Sequence, residues 1–158
     1  MGLTSRALHL VTRAHVHVYR LTGGRVGGRL GHLEQVLLTT TGRRSGAQRT
    51  VPLAVTPVGP SVVLVASDGG AAKHPAWDLN LSAQPEVVVQ RGRRTVPMLA
   101  RVAVGAEREM LWAAAVENNP GYARYQVRTA REIPVVVCEP AGPAARQGPV
   151  APADRPAT

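Results

Sequence analysis

Apolar residues recur along this chain at two spacings, and the switches between them mark out its elements. Over residues 5–21, Ala7, Val11, Ala14, Val18 and Leu21 fall four and three apart, with Arg6, Arg13 and Arg20 flanking the stripe. That spacing predicts an amphipathic helix whose apolar side packs on the domain. The glycine-rich run from Gly23 to Gly31 then breaks the helix into a flexible basic loop. It does not match a dinucleotide-binding turn, because no strand leads into it. Three strand-like runs follow, Gln35 to Thr41, Arg49 to Thr56 and Ser61 to Ser67, separated by the turns Gly42–Gly46 and Pro57–Pro60. Short turns of this kind predict an antiparallel meander rather than crossover units. Pro75 to Gln84 reads as a short helix with proline in its first turn. Strands Glu86 to Gln90 and Thr95 to Val104 are joined by the tight link Arg91-Gly92-Arg93-Arg94. Gly105 to Asn118 is expected as a helix with Met110, Leu111, Ala114 and Ala115 on its apolar face. Pro120 to Thr129 makes another, with Tyr122 and Tyr125 on one side. Ile133 to Glu139 is the last strand.

The sum is a mainly β, α+β chain: about six antiparallel strands that close most simply as a small barrel, with an N-terminal helix and two or three further helices. A single domain is expected over 1–139. Residues 140–158 hold five prolines, six alanines and two glycines without apolar periodicity, so they read as a disordered tail.

Composition adds limits. A chain of 158 residues buries roughly two-thirds of its unfolded surface, enough for one core without disulfides or structural metal. Cys138 is its single cysteine, and no CxxC or Cys/His cluster suggests a metal site, so a reducing, cytoplasmic setting is expected. The apolar runs Val62–Ala66 and Ile133–Cys138 are far shorter than the ~20 residues a spanning helix needs.

Charge changes the picture more. The net charge is +9, and the first 67 residues carry eight arginines against one acid, Glu34. Eighteen of the 19 cations are arginine, whose planar fork suits phosphate and carboxylate, so an anionic ligand is expected. Nucleic acid is disfavoured as that ligand, because the chain has no Phe and only five Tyr and Trp to stack on bases. A basic helix at the N-terminus also raises peripheral contact with the inner face of a membrane, or dimerisation, as alternatives to simple packing.

Three segments can carry chemistry. In the first, Gly42-Arg43-Arg44-Ser45-Gly46 and Arg49 present three guanidinium forks and backbone N–H groups to one spot, an anion cradle, although a solvated basic hairpin explains the same composition. In the second, Ala66 to Leu81, a strand enters a small-residue loop and then a helix whose N-terminal N–H groups suit a phosphate or a polarised ring oxygen. Lys73 and His74 add charge there, and a lone histidine in such a loop is more often a structural hydrogen-bonder than a base. In the third, Tyr122 and Tyr125 offer flat apolar contact and a hydroxyl each, to a pocket or to the core. His15 and His17 fall on different helix faces and make a poor metal pair. No Ser-His-Asp order, paired carboxylate or Cys-His arrangement can be assembled.

Taken in order, LLTTTGRRSGAQRTVPL, ASDGGAAKHPAWDLNL with AQPEV, and NPGYARYQVRTAREIPVVV resemble the deazaflavin-dependent nitroreductase family, which uses coenzyme F420 on a split β-barrel of the FMN-binding type. The likeness spans Val18 to Glu139. The chain departs from the family pattern at Arg44, where lysine is usual, and at Asp78, where an aromatic is usual. The first change keeps the charge; the second falls on the pocket wall. The resemblance implies that Arg43, Arg44, Ser45, Gly46, Arg49, Pro52, Leu53, Ala66, Ser67, Lys73, Trp77 and Asn80 surround the phosphate, ribityl chain and ring of F420. Ser67, Tyr122 and Tyr125 would then lie on the substrate side. The implied reaction is hydride transfer from the reduced cofactor to a quinone, nitro-compound or other conjugated acceptor, by a monomer or a homodimer. The alternatives are an F420 carrier without turnover and an FMN-binding reductase on a similar barrel.

Overall fold

The computed structural model describes residues 2–142. Eight strands form one curled antiparallel sheet: β1 (Arg29–Leu30), β2 (Leu33–Thr41), β3 (Gln48–Ala54), β4 (Thr56–Val58), β5 (Ser61–Val65), β6 (Glu86–Arg91), β7 (Arg94–Val102) and β8 (Val135–Pro140). Four α-helices accompany them: α1 (Gly2–Thr22), α2 (Ala76–Ala83), α3 (Gly105–Asn118) and α4 (Gly121–Val127). All six expected strands and all the expected helices are present. The two additional strands, β1 and β4, are too short to show alternation.

The second hairpin differs from the expected meander. The run expected as one strand over Arg49–Thr56 breaks at Val55: β3 pairs with β2, whereas β4 pairs with β5. Across the sheet the order is β1-β2-β6-β7-β8-β5-β4, with β3 also on β2. One residue therefore carries the chain from one end of the sheet to the other, and that step curls it into a barrel. The Val55 amide, outside both ladders, donates to Glu34 O at 3.0 Å.

Period-two alternation sends the side chains of each strand to two apolar environments. Val36, Leu38, Val62, Leu64, Val87, Val89, Val136 and Cys138 fill the barrel. The intervening Val63, Val135 and Val137 face outward, where Leu111 and Trp112 of α3 cover them. Each fully buried valine or leucine is worth about 1.5–3 kcal/mol relative to exposure, so α3 is a second wall of the core. On α3 itself Leu111 and Ala115 are buried, while Met110, expected on the same face, lies in solvent.

Helix α1 also turns an unexpected face to the barrel. Val16 and Tyr19 pack on Leu37. The Tyr19 hydroxyl donates to Gln35 O at 3.1 Å and accepts from the Gly92 amide at 2.9 Å. The expected stripe points away: Val11 is 65% and Leu21 71% exposed. A tyrosine that satisfies two distant backbone groups outweighs the larger number of aliphatic side chains on the opposite face. Strand β8 ends at Pro140, and the expected tail from residue 143 onward lies outside the described residues.

Candidate functional site

A cavity of about 360 Å³ opens where the barrel meets its helices. Its walls are Val51, Pro52, Leu53 and Ala54 of β3, Val65 at the end of β5, Ser67, Asp68 and Pro75 of the β5–α2 loop, Trp77 of α2, Tyr122 of α4 and Thr12 of α1. Of the residues singled out from sequence, Pro52, Leu53, Ser67, Trp77 and Tyr122 meet here.

The arginine hairpin precedes the cavity-lining part of β3. Gly42 and Ala47 close it through Gly42 N to Ala47 O at 2.8 Å, with Gly46 N returning to Gly42 O at 2.7 Å. Gly46 has φ +66°, a left-handed conformation that glycine adopts without a Cβ penalty. Ser45 is exposed at the tip, and its hydroxyl accepts from the Ala47 amide at 3.3 Å. Arg43 leans onto α2: its backbone N–H and its Nη1 both donate to Asn80 Oδ1, at 3.2 and 3.3 Å, and Asn80 Nδ2 donates to Thr40 Oγ1 at 3.2 Å. Asn80 is thus a buried strut under the hairpin and does not line the cavity. Arg49 pairs with Thr40 across the ladder and leaves the same face of β3 as Val51 and Leu53. At about 3.3 Å of rise per residue, its Cα is about 7 Å from that of Val51. Arg43, Arg44 and Arg49 form no ion pair among the described residues. Three guanidinium groups without an ion pair, on and beside the hairpin that leads into the cavity-lining part of β3, suit a ligand with an anionic handle and a flat ring.

The β5–α2 loop gives the cavity Ser67, Asp68 and Pro75. Ala66 is buried at the end of the barrel strand, and Ser67 precedes a single 3-10 turn, Asp68–Gly70. Arg131, which sequence reasoning passed over, holds this loop: Nε donates to Ala71 O at 2.9 Å, and Nη2 to Ala66 O and Ser67 O, both at 3.0 Å. Gly70 has φ +85°, and a Cβ there would come within 2.7 Å of Tyr125 O, so α4 and the loop touch through bare backbone. Lys73 is exposed farther along the loop. His74 Nδ1 donates to Asp78 Oδ2 at 2.7 Å. Asp78 is 3% exposed, with Oδ1 unpartnered among the described residues. The residue that departs from the family pattern is therefore turned inward onto His74, in the first turn of α2, where the helix dipole favours an anion. It does not line the cavity, and it makes no capping hydrogen bond to the helix N-terminus.

Tyr122 and Tyr125 stack edge-on, ring centroids 6.4 Å apart. Tyr122 alone reaches the cavity. Burial raises its phenol above the usual 10.0, a hydrogen bond with Asn119 opposing the shift, so at neutral pH it is a hydrogen-bond donor.

This geometry can be set beside known proteins. The family model for the F420H(2)-dependent quinone reductases matches residues 11–140. The chain belongs to that family. It is 38% identical over 129 residues to the F420H(2)-dependent quinone reductase Rv1261c of Mycobacterium tuberculosis, covering 79% of this chain and 87% of that protein. Among solved structures it is similar to the F420-H2 dependent reductase FDR-A, with 47% identity, TM-score 0.63, and coverage of 66% of this chain and 93% of that one. It is also similar to a chain described as a domain-swapped dimer, with 42% identity, TM-score 0.66, and coverage of 80% and 96%. Family membership makes the chain an F420-dependent oxidoreductase on a split barrel, as the motifs implied, with F420 as its cofactor. Thr12, Val51, Ala54, Val65, Asp68 and Pro75 join the cavity without having been singled out. None carries a local signal, since distant elements bring them together.

Proposed function

We propose that this chain reduces a quinone at the cavity, with the cofactor's anionic handle on the arginine hairpin and its ring against Pro52, Leu53 and Trp77. The single observation that carries this reading is continuity along β3: Arg43, Arg44 and Arg49, without an ion pair among the described residues, lead directly into residues 51–54 of the cavity wall, which Ser67 and Tyr122 also line. When bound, reduced F420 supplies the hydride. The protein's part is to hold ring and acceptor in contact and keep water out. Arg43, Arg44, Arg49 and the backbone at Ser45 and Gly46 hold the phosphate, and Lys73 adds charge at the rim. Asn80 fixes Arg43, and Ala66 ends the barrel strand so that Ser67 faces the acceptor. The Tyr122 hydroxyl, kept protonated by burial, donates to an acceptor oxygen. Tyr125 props Tyr122 through their edge-on contact.

A quinone that lives in lipid would reach this site from a membrane surface. The outward face of α1 suits such a surface: Leu10, Val11, Val18 and Leu21 are exposed beside Arg13 and Arg20, and the helix has no acid. Thr12 of the same helix lines the cavity. Among the described residues no helix is long and apolar enough to cross a membrane, so this contact would be peripheral. A homodimer buried through the same face is the competing use of that stripe.

Titration with oxidised F420 and, separately, with FMN tests the cofactor site. Clear preference for F420 is expected, and FMN binding as tightly would overturn the assignment. Turnover of reduced F420 with menadione and with a nitroaromatic then ranks the acceptors, menadione being expected to react faster. Sedimentation with anionic vesicles, comparing the chain with Val11→Glu/Leu21→Glu, tests the lipid contact: loss of co-sedimentation is expected, and equal co-sedimentation rejects it.

A further inference from the structure

Asp68 is the one acidic residue among those lining the cavity, which it shares with Ser67 and Tyr122. Its backbone has φ +45°, the only positive φ at a non-glycine among the described residues. Such a conformation persists where the surroundings over-determine it, and these do. Gly70 N donates to Ser67 O at 2.9 Å and Ala71 N to Asp68 O at 3.1 Å. Arg131 grips the carbonyls of residues 66, 67 and 71, and Gly70 abuts the α4 backbone. Nε and Nη2 of Arg131 are thus engaged with carbonyl oxygens while Nη1 is buried without a partner, and Asp68 makes no ion pair among the described residues. The loop backbone is therefore fixed, and Asp68 brings an exposed carboxylate without an ion pair to the cavity wall beside Ser67 and Tyr122.

We propose that Asp68 is a specificity-determining residue: its carboxylate repels anionic acceptors from the Ser67–Tyr122 end of the cavity and reserves that end for uncharged quinones. The inference rests on the reading above that the acceptor lies at this end. Two like charges held within one partly enclosed cavity repel more strongly than in bulk water, and discrimination built on repulsion needs no contact with the favoured substrate.

The test compares two quinones of similar ring size, neutral menadione and the anion 1,4-naphthoquinone-2-sulfonate, by calorimetric binding to the chain saturated with oxidised F420. For the wild type the sulfonate is expected to bind about tenfold more weakly, a gap of about 1.4 kcal/mol that narrows at high salt. Asp68→Asn removes the charge at nearly constant shape, and asparagine tolerates the left-handed region, so the loop is retained. Asp68→Gly is a second variant with no conformational penalty at that φ. Both are expected to tighten the sulfonate about tenfold and to move menadione less than twofold. Equal changes for the two quinones, or an unchanged sulfonate, would overturn the proposal. Turnover separates it from the functional reading: a wild type that binds both quinones but reduces neither would refute quinone reduction, while the binding comparison still decides the role of Asp68.

Discussion

The hairpin at residues 42–47, which leads into the cavity-lining part of β3, and the loop at residues 66–71, which supplies Ser67 and Asp68 to the cavity, are held by different forces. The arginine hairpin is an exposed tip closed by its own backbone hydrogen bonds and tied to the body at Arg43 by Asn80. The loop after β5 is fastened from outside, by three hydrogen bonds from Arg131 and by the backbone contact of Gly70 with α4. A long anionic handle can be caught by charge in several geometries, so its receptor tolerates a mobile tip. A ring and an acceptor must meet within a fraction of an ångström, so the part that orients them has to be rigid. Damage to the first region should therefore appear in binding, and damage to the second in stability and turnover.

The strongest test of that contrast replaces Arg43, Arg44 and Arg49 together by alanine. Each exposed charge-assisted contact is worth about 1 kcal/mol, so F420 affinity should fall about 10²- to 10³-fold with little change in melting temperature. A large loss of stability would show that the hairpin has a structural role. Arg131→Ala should do the reverse. Three carbonyls lose their donor, which should lower unfolding stability by about 2–4 kcal/mol, whereas F420 affinity falls far less, as calorimetry and a cofactor titration would show. Gly70→Ala places a Cβ against Tyr125 O at a φ alanine avoids, which should cost about 1–3 kcal/mol and lower kcat with menadione more than it weakens F420 binding.

The smallest effect is one of pH. Burial raises the Tyr122 phenol and pushes the Cys138 thiol up from 9.0 to about 12. For groups raised by folding, stability is fully present below the unfolded values, here 9.0 and 10.0, and is lost as pH climbs through the folded ones. Melting temperature should thus be insensitive to these groups near neutrality and decline above about pH 9. Cys138→Val, close in volume, should flatten the thiol's share of that decline.

How far this was legible from the chain depended on sequence distance. The β2–β3 and β6–β7 hairpins were visible because alternation and glycine turns are local, and Arg43, Arg44 and Arg49 came with them. The motifs carried the cofactor. What stayed hidden required distant partners: Tyr19 chooses the buried face of α1 through groups 16 and 73 residues away. Arg131 reaches back 60 to 65 residues to hold the loop that positions Asp68. The break at Val55 follows from closing the sheet, and neither neighbouring strand announces it.

Strand β8 lies between β7 and β5, although it is the last strand in the chain. During synthesis on the ribosome, the barrel therefore stays open until residue 140 has cleared the exit tunnel. Until then, the edges of β5 and β7 lack their shared neighbour, and valine-rich β5 is a ready template for pairing with another nascent chain. Barrel closure therefore waits for β8, and the interval before β8 docks is when a holding chaperone would matter most.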